Sequence, residues 1–110
     1  MDDHPSFRAS ARMLLEAEGY EVVGEAADGL SAMRVVRELR PDLVLLDIHL
    51  PDLDGFEVAR RMTANGSAPA IVLVSSRARE DVAPLVTDSG ARGFITKSEL
   101  SGSALEALLS

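Results

Sequence analysis

The chain contains no cysteine, so disulfides and cysteine-based zinc or redox chemistry are excluded. No apolar run approaches the roughly 18 residues that a membrane-spanning helix needs. The polar start MDDHPSFR is not a signal peptide. A cytoplasmic address with no membrane partner is therefore expected. Basic residues are in deficit: 11 Lys and Arg stand against 18 Asp and Glu, a net charge of −7. Without a basic face a protein cannot neutralise a phosphate backbone, so no direct nucleic-acid partner is expected. Arg8, Arg12, Arg34, Arg37 and Arg40 read as solvent faces of helices. Repeats, low-complexity tracts and linkers are absent too. The expectation is one domain over 1–110, with no output domain.

The sequence does have enough apolar residues, 46% of 110, for one core. Its most informative stretch is Leu43-Val44-Leu45-Leu46-Asp47, followed by Ile48-His49-Leu50-Pro51-Asp52-Leu53-Asp54-Gly55. Four consecutive apolar residues predict a strand buried on both faces, as in a parallel sheet. Asp47 stands where that strand must end, because Pro51 and Asp54-Gly55 force a turn. Open α/β sheets bind ligands outside the carboxyl ends of their strands, which is where this places Asp47.

The rest alternates. A helix over 6–18 enters through Pro5, with Phe7, Ala11, Leu14, Leu15 and Glu18 in a 3.6-residue rhythm, and Gly19 ends it. A strand is expected over 21–27. A second helix opens at Gly29 with Leu30, Met33, Val36 and Leu39 on one face, and Pro41 stops it. A third helix spans 56–64 with Asn65-Gly66 as its stop, and an apolar strand over 70–74 ends in Ser75 and Ser76. A weaker helix over 79–89 contains Pro84, a short strand over 93–96 ends at Lys97, and a last helix covers 103–109. Alternating strands and helices imply an α/β fold, a parallel sheet with helices on both sides.

Polar groups then stand at three strand ends or helix entries: Asp2-Asp3, Asp47 and Lys97. Carboxylates sharing one pocket repel unless a hard cation neutralises them, and Mg²⁺ does so through oxygen ligands. A cation also positions a phosphoryl group, and an ammonium such as Lys97 offsets developing charge. Asp47 could then be a nucleophile forming an aspartyl phosphate. The bland alternative is solvated carboxylates at loop starts.

MDDHPSFR, LVLLDIHLPDLDGFE, IVLVSSR and GARGFITKSEL, in this order and spacing, resemble the receiver domain of two-component response regulators. The DDHP form, and Ser after Lys97, look most like receivers that precede a helix-turn-helix output domain. The resemblance covers essentially the whole chain and implies a three-layer, flavodoxin-like, doubly wound parallel sheet. It implies that Asp47 is the phosphoacceptor, taking its phosphoryl group from a histidine kinase or phosphotransfer protein. Asp3 matches the acidic Mg²⁺ ligand, Asp2 its acidic neighbour, and His49 the residue whose backbone carbonyl joins the metal. Lys97 matches the lysine that contacts the phosphoryl group, and Phe94 the switch aromatic. For the switch hydroxyl, counting back from Gly90 selects Ser75, whereas aligning the apolar strand with SSR selects Val74. Any catalysis is limited to the receiver's own phosphorylation and dephosphorylation.

One departure is at the front. The resemblance implies an apolar strand before the acidic pair, internal to the sheet between 21–27 and 43–47, yet Met1 directly precedes Asp2. Four strands are therefore expected. A start upstream of Met1, a rearranged sheet and a second copy filling the gap all remain open. A true truncation would leave Asp2 and Asp3 on a frayed end. It would also favour a phosphorylation-independent interaction or homodimerisation module, with Asp47 a vestige. A Mg²⁺-dependent phosphatase would need an acid two residues after the nucleophile, where His49 stands. His4 and His49 lack a cysteine or a histidine at helical spacing, so neither imidazole is taken as a metal ligand.

Overall fold

The computed structural model describes residues 1–64, 69–76 and 83–109. The Asn65-Gly66 stop, Arg77 of the SSR motif and the 79–82 start of the expected weak helix lie outside the described residues.

Helix α1 (Pro5–Ala17) carries Pro5 at its first turn, where a missing N–H leaves no bond unmade. Helix α2 (Gly29–Leu39) is capped twice. Asp28 accepts from Ser31 N–H at 2.7 Å, and Asp52 accepts from Gly29 and Leu30 N–H at 2.7 and 3.0 Å. Carboxylates thus satisfy three N–H groups of the first turn, the group that a helix leaves without internal partners. Arg40 ends α2 in the left-handed conformation at φ 48°, its N–H returning to Val36, and Pro41 prevents continuation. Strand β1 (Leu43–Asp47), helix α3 (Gly55–Met62), strand β2 (Ala70–Ser75), helix α4 (Ala83–Ser89), strand β3 (Gly93–Thr96), a 3₁₀ turn (Lys97–Glu99) and helix α5 (Gly102–Leu109) follow.

The strands are parallel in the order β1-β2-β3, with Asp47 beside Val74 and Ser75 beside Thr96. Side chains alternate across the pleat and build two cores. Val44, Leu46, Ile48, Ile71 and Leu73 meet Phe56, Val58, Ala59 and Met62 of α3 and Ala32 of α2. Leu45, Val72 and Ile95 meet Ala11 of α1 and Leu105 of α5 on the other face. Three layers result, in agreement with the expected doubly wound α/β architecture. No helix among the described residues is long and apolar enough to cross a membrane.

The strand count differs from expectation. Residues 21–27 form no strand, so the sheet has three strands among the described residues rather than four. A strand exists through its pairing, and the neighbour of this segment is almost missing. Among the described residues, Met1 and Asp2 occupy the intervening position: Met1 N–H donates to Leu45 O at 2.8 Å, Asp47 N–H to Met1 O at 3.0 Å, and Asp2 N–H to Ala26 O at 3.0 Å. Gly24 instead lies against Leu39 and Val35 of α2. Leu39, expected on the buried face of its helix, is 48% exposed for the same reason.

Replacing Asp28 by Ala should cost about 1 kcal/mol and lower the melting temperature by about 5 °C, read by thermal circular dichroism. No loss would mean that Asp52 alone secures the start of α2.

Candidate functional site

Asp47 ends β1 and is almost fully buried. The chain leaves through the loop 48–54 and returns so closely that Gly55 N–H donates to Ile48 O at 3.0 Å. A Cβ on Gly55 would collide with the backbone of Asp47 and Ile48, so only glycine permits this return. Within the loop, exposed His49 donates its N–H to Asp47 Oδ1 at 3.0 Å.

The acidic pair is not frayed. The three backbone bonds of Met1 and Asp2 draw the front of the chain against β1, and Asp2 is 1% exposed. Met1, one residue in parallel register with β1, seats Asp2. Arg8 adds a bond from its guanidinium to Asp2 O at 2.5 Å, and its charge pairs with Glu25. Asp3 is half-exposed beside it.

Lys97, just past β3, brings its Nζ to 2.5 Å from Asp2 Oδ2 and 3.4 Å from Asp47 Oδ2. It also lies 4.4 Å from the centroid of the Phe7 ring on α1, a cation–π contact that holds the ammonium from behind. The structure therefore brings together Asp2, Asp3, Asp47 and Lys97 from three separate segments. Ser75 is fully buried at the carboxyl end of β2, one residue beyond Val74, which is the lateral neighbour of Asp47. Phe94 is half-buried in β3 and packs on the core that α3 covers.

Two participants escaped the sequence. His4 Nδ1 lies 3.0 Å from Asp2 Oδ1 and 3.2 Å from Asp3 Oδ1, and its N–H donates to Asp2 Oδ1 at 2.8 Å. Donor atoms of Asp2, Asp3, His4 and Asp47 all fall within 4.8 Å of one another. The adjacency of His4 to the acidic pair was the available signal. Phe7 was legible only as a core residue, since its stacking partner is 90 positions away.

The two buried carboxyls titrate in opposite directions. For Asp2, burial favours the neutral form, but Lys97, the His4 N–H and the Asp47 hydrogen bond outweigh it and lower the pKa. For Asp47, burial dominates and raises the pKa; the bond to and charge of Asp2 add to this, against the His49 N–H and Lys97. The pair thus holds one secure negative charge and one that is costly without further positive charge. Three carboxylates offering hard oxygens to one point fit a Mg²⁺ ion.

The chain matches the family described as the response regulator receiver domain over residues 1–109. It is 39% identical over 99 residues to the DNA-binding response regulator MtrA of Mycolicibacterium smegmatis, covering 88% of this chain and 42% of that protein. It is 38% identical over 110 residues to the nitrate/nitrite response regulator protein NarP of Escherichia coli, covering 98% and 51%. The chain spans about half the length of the curated relatives it matches. Among solved structures, a LuxR-family two-component response regulator from Aurantimonas sp. SI85-9A1 superposes with TM-score 0.85 at 36% identity, over 96% of this chain and 76% of that one. The signal receiver domain of NarL from Mycobacterium tuberculosis gives 0.83 at 31%, over 97% and 90%.

The pKa directions set a stability test without divalent cation. Asp47 has a folded pKa above its unfolded value, so it opposes folding above the folded pKa, and this fades as pH falls. Asp2 has a depressed folded pKa, so it stabilises above the unfolded value and loses that as pH falls through the folded one. Asp47→Asn should therefore raise the melting temperature at about pH 7.5, with the gap closing toward about pH 4. Asp2→Asn should lower it at neutral pH. A destabilised Asp47→Asn would show that Asp47 ionises freely in the fold.

Proposed function

The chain belongs to the response regulator receiver domain family, and from that premise we propose that it is a phosphoacceptor of a two-component pathway, modified on Asp47. The observation that carries this reading is the convergence of Asp2, Asp3, Asp47 and Lys97 at the carboxyl end of a parallel sheet. The site resists ionisation of Asp47, which is the behaviour of an acidic pocket built to take up positive charge.

In this reading Asp2, Asp3 and Asp47, with the His49 backbone carbonyl, would hold Mg²⁺. When bound, the ion supplies charge neutralisation at the phosphoryl oxygens. Asp47 attacks the phosphorus of a phosphohistidine on a histidine kinase or phosphotransfer protein. The new bond joins the Asp47 carboxylate oxygen to phosphorus, the phosphorus–nitrogen bond breaks, and the imidazole leaves with its electron pair and takes a proton. Lys97, freed from part of its pairing with Asp47, offsets charge on the transferred group. Phe7 keeps the Lys97 ammonium directed at the pocket.

The change would be read out through Ser75 and Phe94. A hydroxyl at the end of β2 can bond a phosphoryl oxygen, whereas the side chain of Val74 beside it carries no polar atom. Movement of Ser75 would alter the packing of Phe94 and the face of α4 and β3, shifting a two-state population. We assign residues 1–110 to a receiver unit whose role is signalling in the cytoplasm rather than metabolism. Any DNA binding of the kind named for MtrA would belong to a separate domain or partner.

The test is intact mass after incubation with acetyl phosphate, with and without Mg²⁺, beside Asp47→Asn. One phosphoryl adduct that needs both Mg²⁺ and Asp47 is the expected result. No adduct on a folded chain would leave a phosphorylation-independent interaction module, with Asp47 a vestige.

A further inference from the structure

The loop 48–54 carries His49, whose backbone meets the acidic pocket: its N–H donates to Asp47 Oδ1 at 3.0 Å. Under the proposed function its carbonyl would also face the cation. A backbone group can serve a carboxylate and a metal only while its peptide plane is held, so His49 depends on whatever fixes this loop.

The loop is anchored at three levels. At the base, Gly55 N–H donates to Ile48 O at 3.0 Å, and His49 faces Asp54 in an antiparallel bridge. In the middle, Leu50 and Leu53 pack on the core that α3 covers. That packing holds the loop down, but it is non-directional and leaves peptide orientation open. At the tip, exposed Asp52 reaches out of the loop to α2, accepting from Gly29 N–H at 2.7 Å and from Leu30 N–H at 3.0 Å.

The reach of Asp52 differs from an ordinary cap. Asp28 caps α2 from within its own segment, through Ser31 N–H at 2.7 Å. Asp52 caps it from the loop, so the two bonds that satisfy the helix also tie down the loop tip. Gly29 is suited to the approach: a Cβ there would lie 2.9 Å from Leu53 Cβ and 3.1 Å from Asp52 Oδ1. The loop therefore sits closer to α2 than a side chain would comfortably allow. The Gly29 N–H, with the Leu30 N–H adding to it, holds the Asp52 carboxyl below its usual range. The clasp is thus made by a charged group, and charge-assisted bonds are stronger than neutral ones.

We propose that Asp52 is a positioning residue of the acidic pocket: by clasping the first turn of α2, it fixes the loop that presents the His49 N–H to Asp47 and the His49 carbonyl to the cation. It acts through the loop backbone and not by contact with the pocket. The bond to Asp47 needs no cation, whereas the carbonyl role rests on the proposed function.

The test compares Asp52→Ala with Asp28→Ala by ¹⁵N nuclear magnetic resonance. Both remove a carboxylate from the start of α2, but only Asp52 joins α2 to the loop. Without divalent cation, the His49 amide should exchange with water about tenfold faster in Asp52→Ala than in the unaltered chain, and at the unaltered rate in Asp28→Ala. Titration with Mg²⁺, followed by amide shifts, should give a dissociation constant raised about tenfold in Asp52→Ala, as when a partner behind a metal ligand is lost. Asp28→Ala should leave that constant unchanged. Asp52→Asn keeps one acceptor oxygen and should fall between, and it serves as the second variant if Asp52→Ala fails to fold. A His49 amide that exchanges no faster in Asp52→Ala than in Asp28→Ala would overturn the proposal and leave Asp52 a helix cap. An unchanged constant in a chain that binds Mg²⁺ would overturn it as well. An unaltered chain that binds no Mg²⁺, with His49 exchange still faster in Asp52→Ala, would overturn the proposed metal site and uphold the clasp.

Discussion

One residue of strand holds the site together. The backbone of Met1 bridges Leu45 O and Asp47 N–H, and the next N–H, of Asp2, reaches Ala26 O. These three bonds join the front of the chain, the central strand and the unpaired segment that precedes α2. A backbone group buried without a partner is costly, and here the same bonds that satisfy three donors and three acceptors also carry Asp2 beside Asp47. Without them, Asp2 would be a charge at the end of an unattached segment. The placement of Lys97 would lose its shorter ion pair as well.

Electrostatics then separates the two buried carboxyls of the pocket. A buried ion pair repays its desolvation only when its geometry is close and its remaining lone pairs are bonded. Asp2 comes nearer to that condition: Lys97 pairs with its Oδ2, and the His4 N–H and ring meet its Oδ1. Asp47 falls short of it, because the ammonium sits nearer Asp2, and among the described residues the backbone donor to its carboxylate is the His49 N–H. Burial makes that shortfall matter, since the same arrangement at the surface would be screened by water. The structure therefore tolerates an under-compensated carboxylate at the end of its central strand. A group arranged this way costs the fold stability until positive charge is brought to it.

The sequence made the strand that ends in Asp47 legible because four apolar residues and a turn signal are local facts. The helices were legible for the same reason, to within a residue or two at Gly55 and Gly102. Their caps were legible only in part: Asp28 adjoins α2 in sequence, but Asp52 reaches its first turn from 23 positions away. The error at 21–27 has a different origin. The pattern Glu21-Val22-Val23 is that of a strand, and strand preference is a statement about neighbours; with one residue for a neighbour, no ladder forms. The seating of Asp2 was not legible at all. Hydrogen bonds made by two residues of backbone have no signature in side-chain identity.

Met1 joins the end of β1 to the acidic pocket. Met1 O accepts from Asp47 N–H, the backbone of the residue whose carboxylate lies in the pocket. Met1 N–H donates to Leu45 O, two residues earlier on the same strand. The backbone that seats Asp2 therefore also fixes the terminal peptide of β1, so a change that loosens Met1 loosens both buried carboxylates of the pocket together.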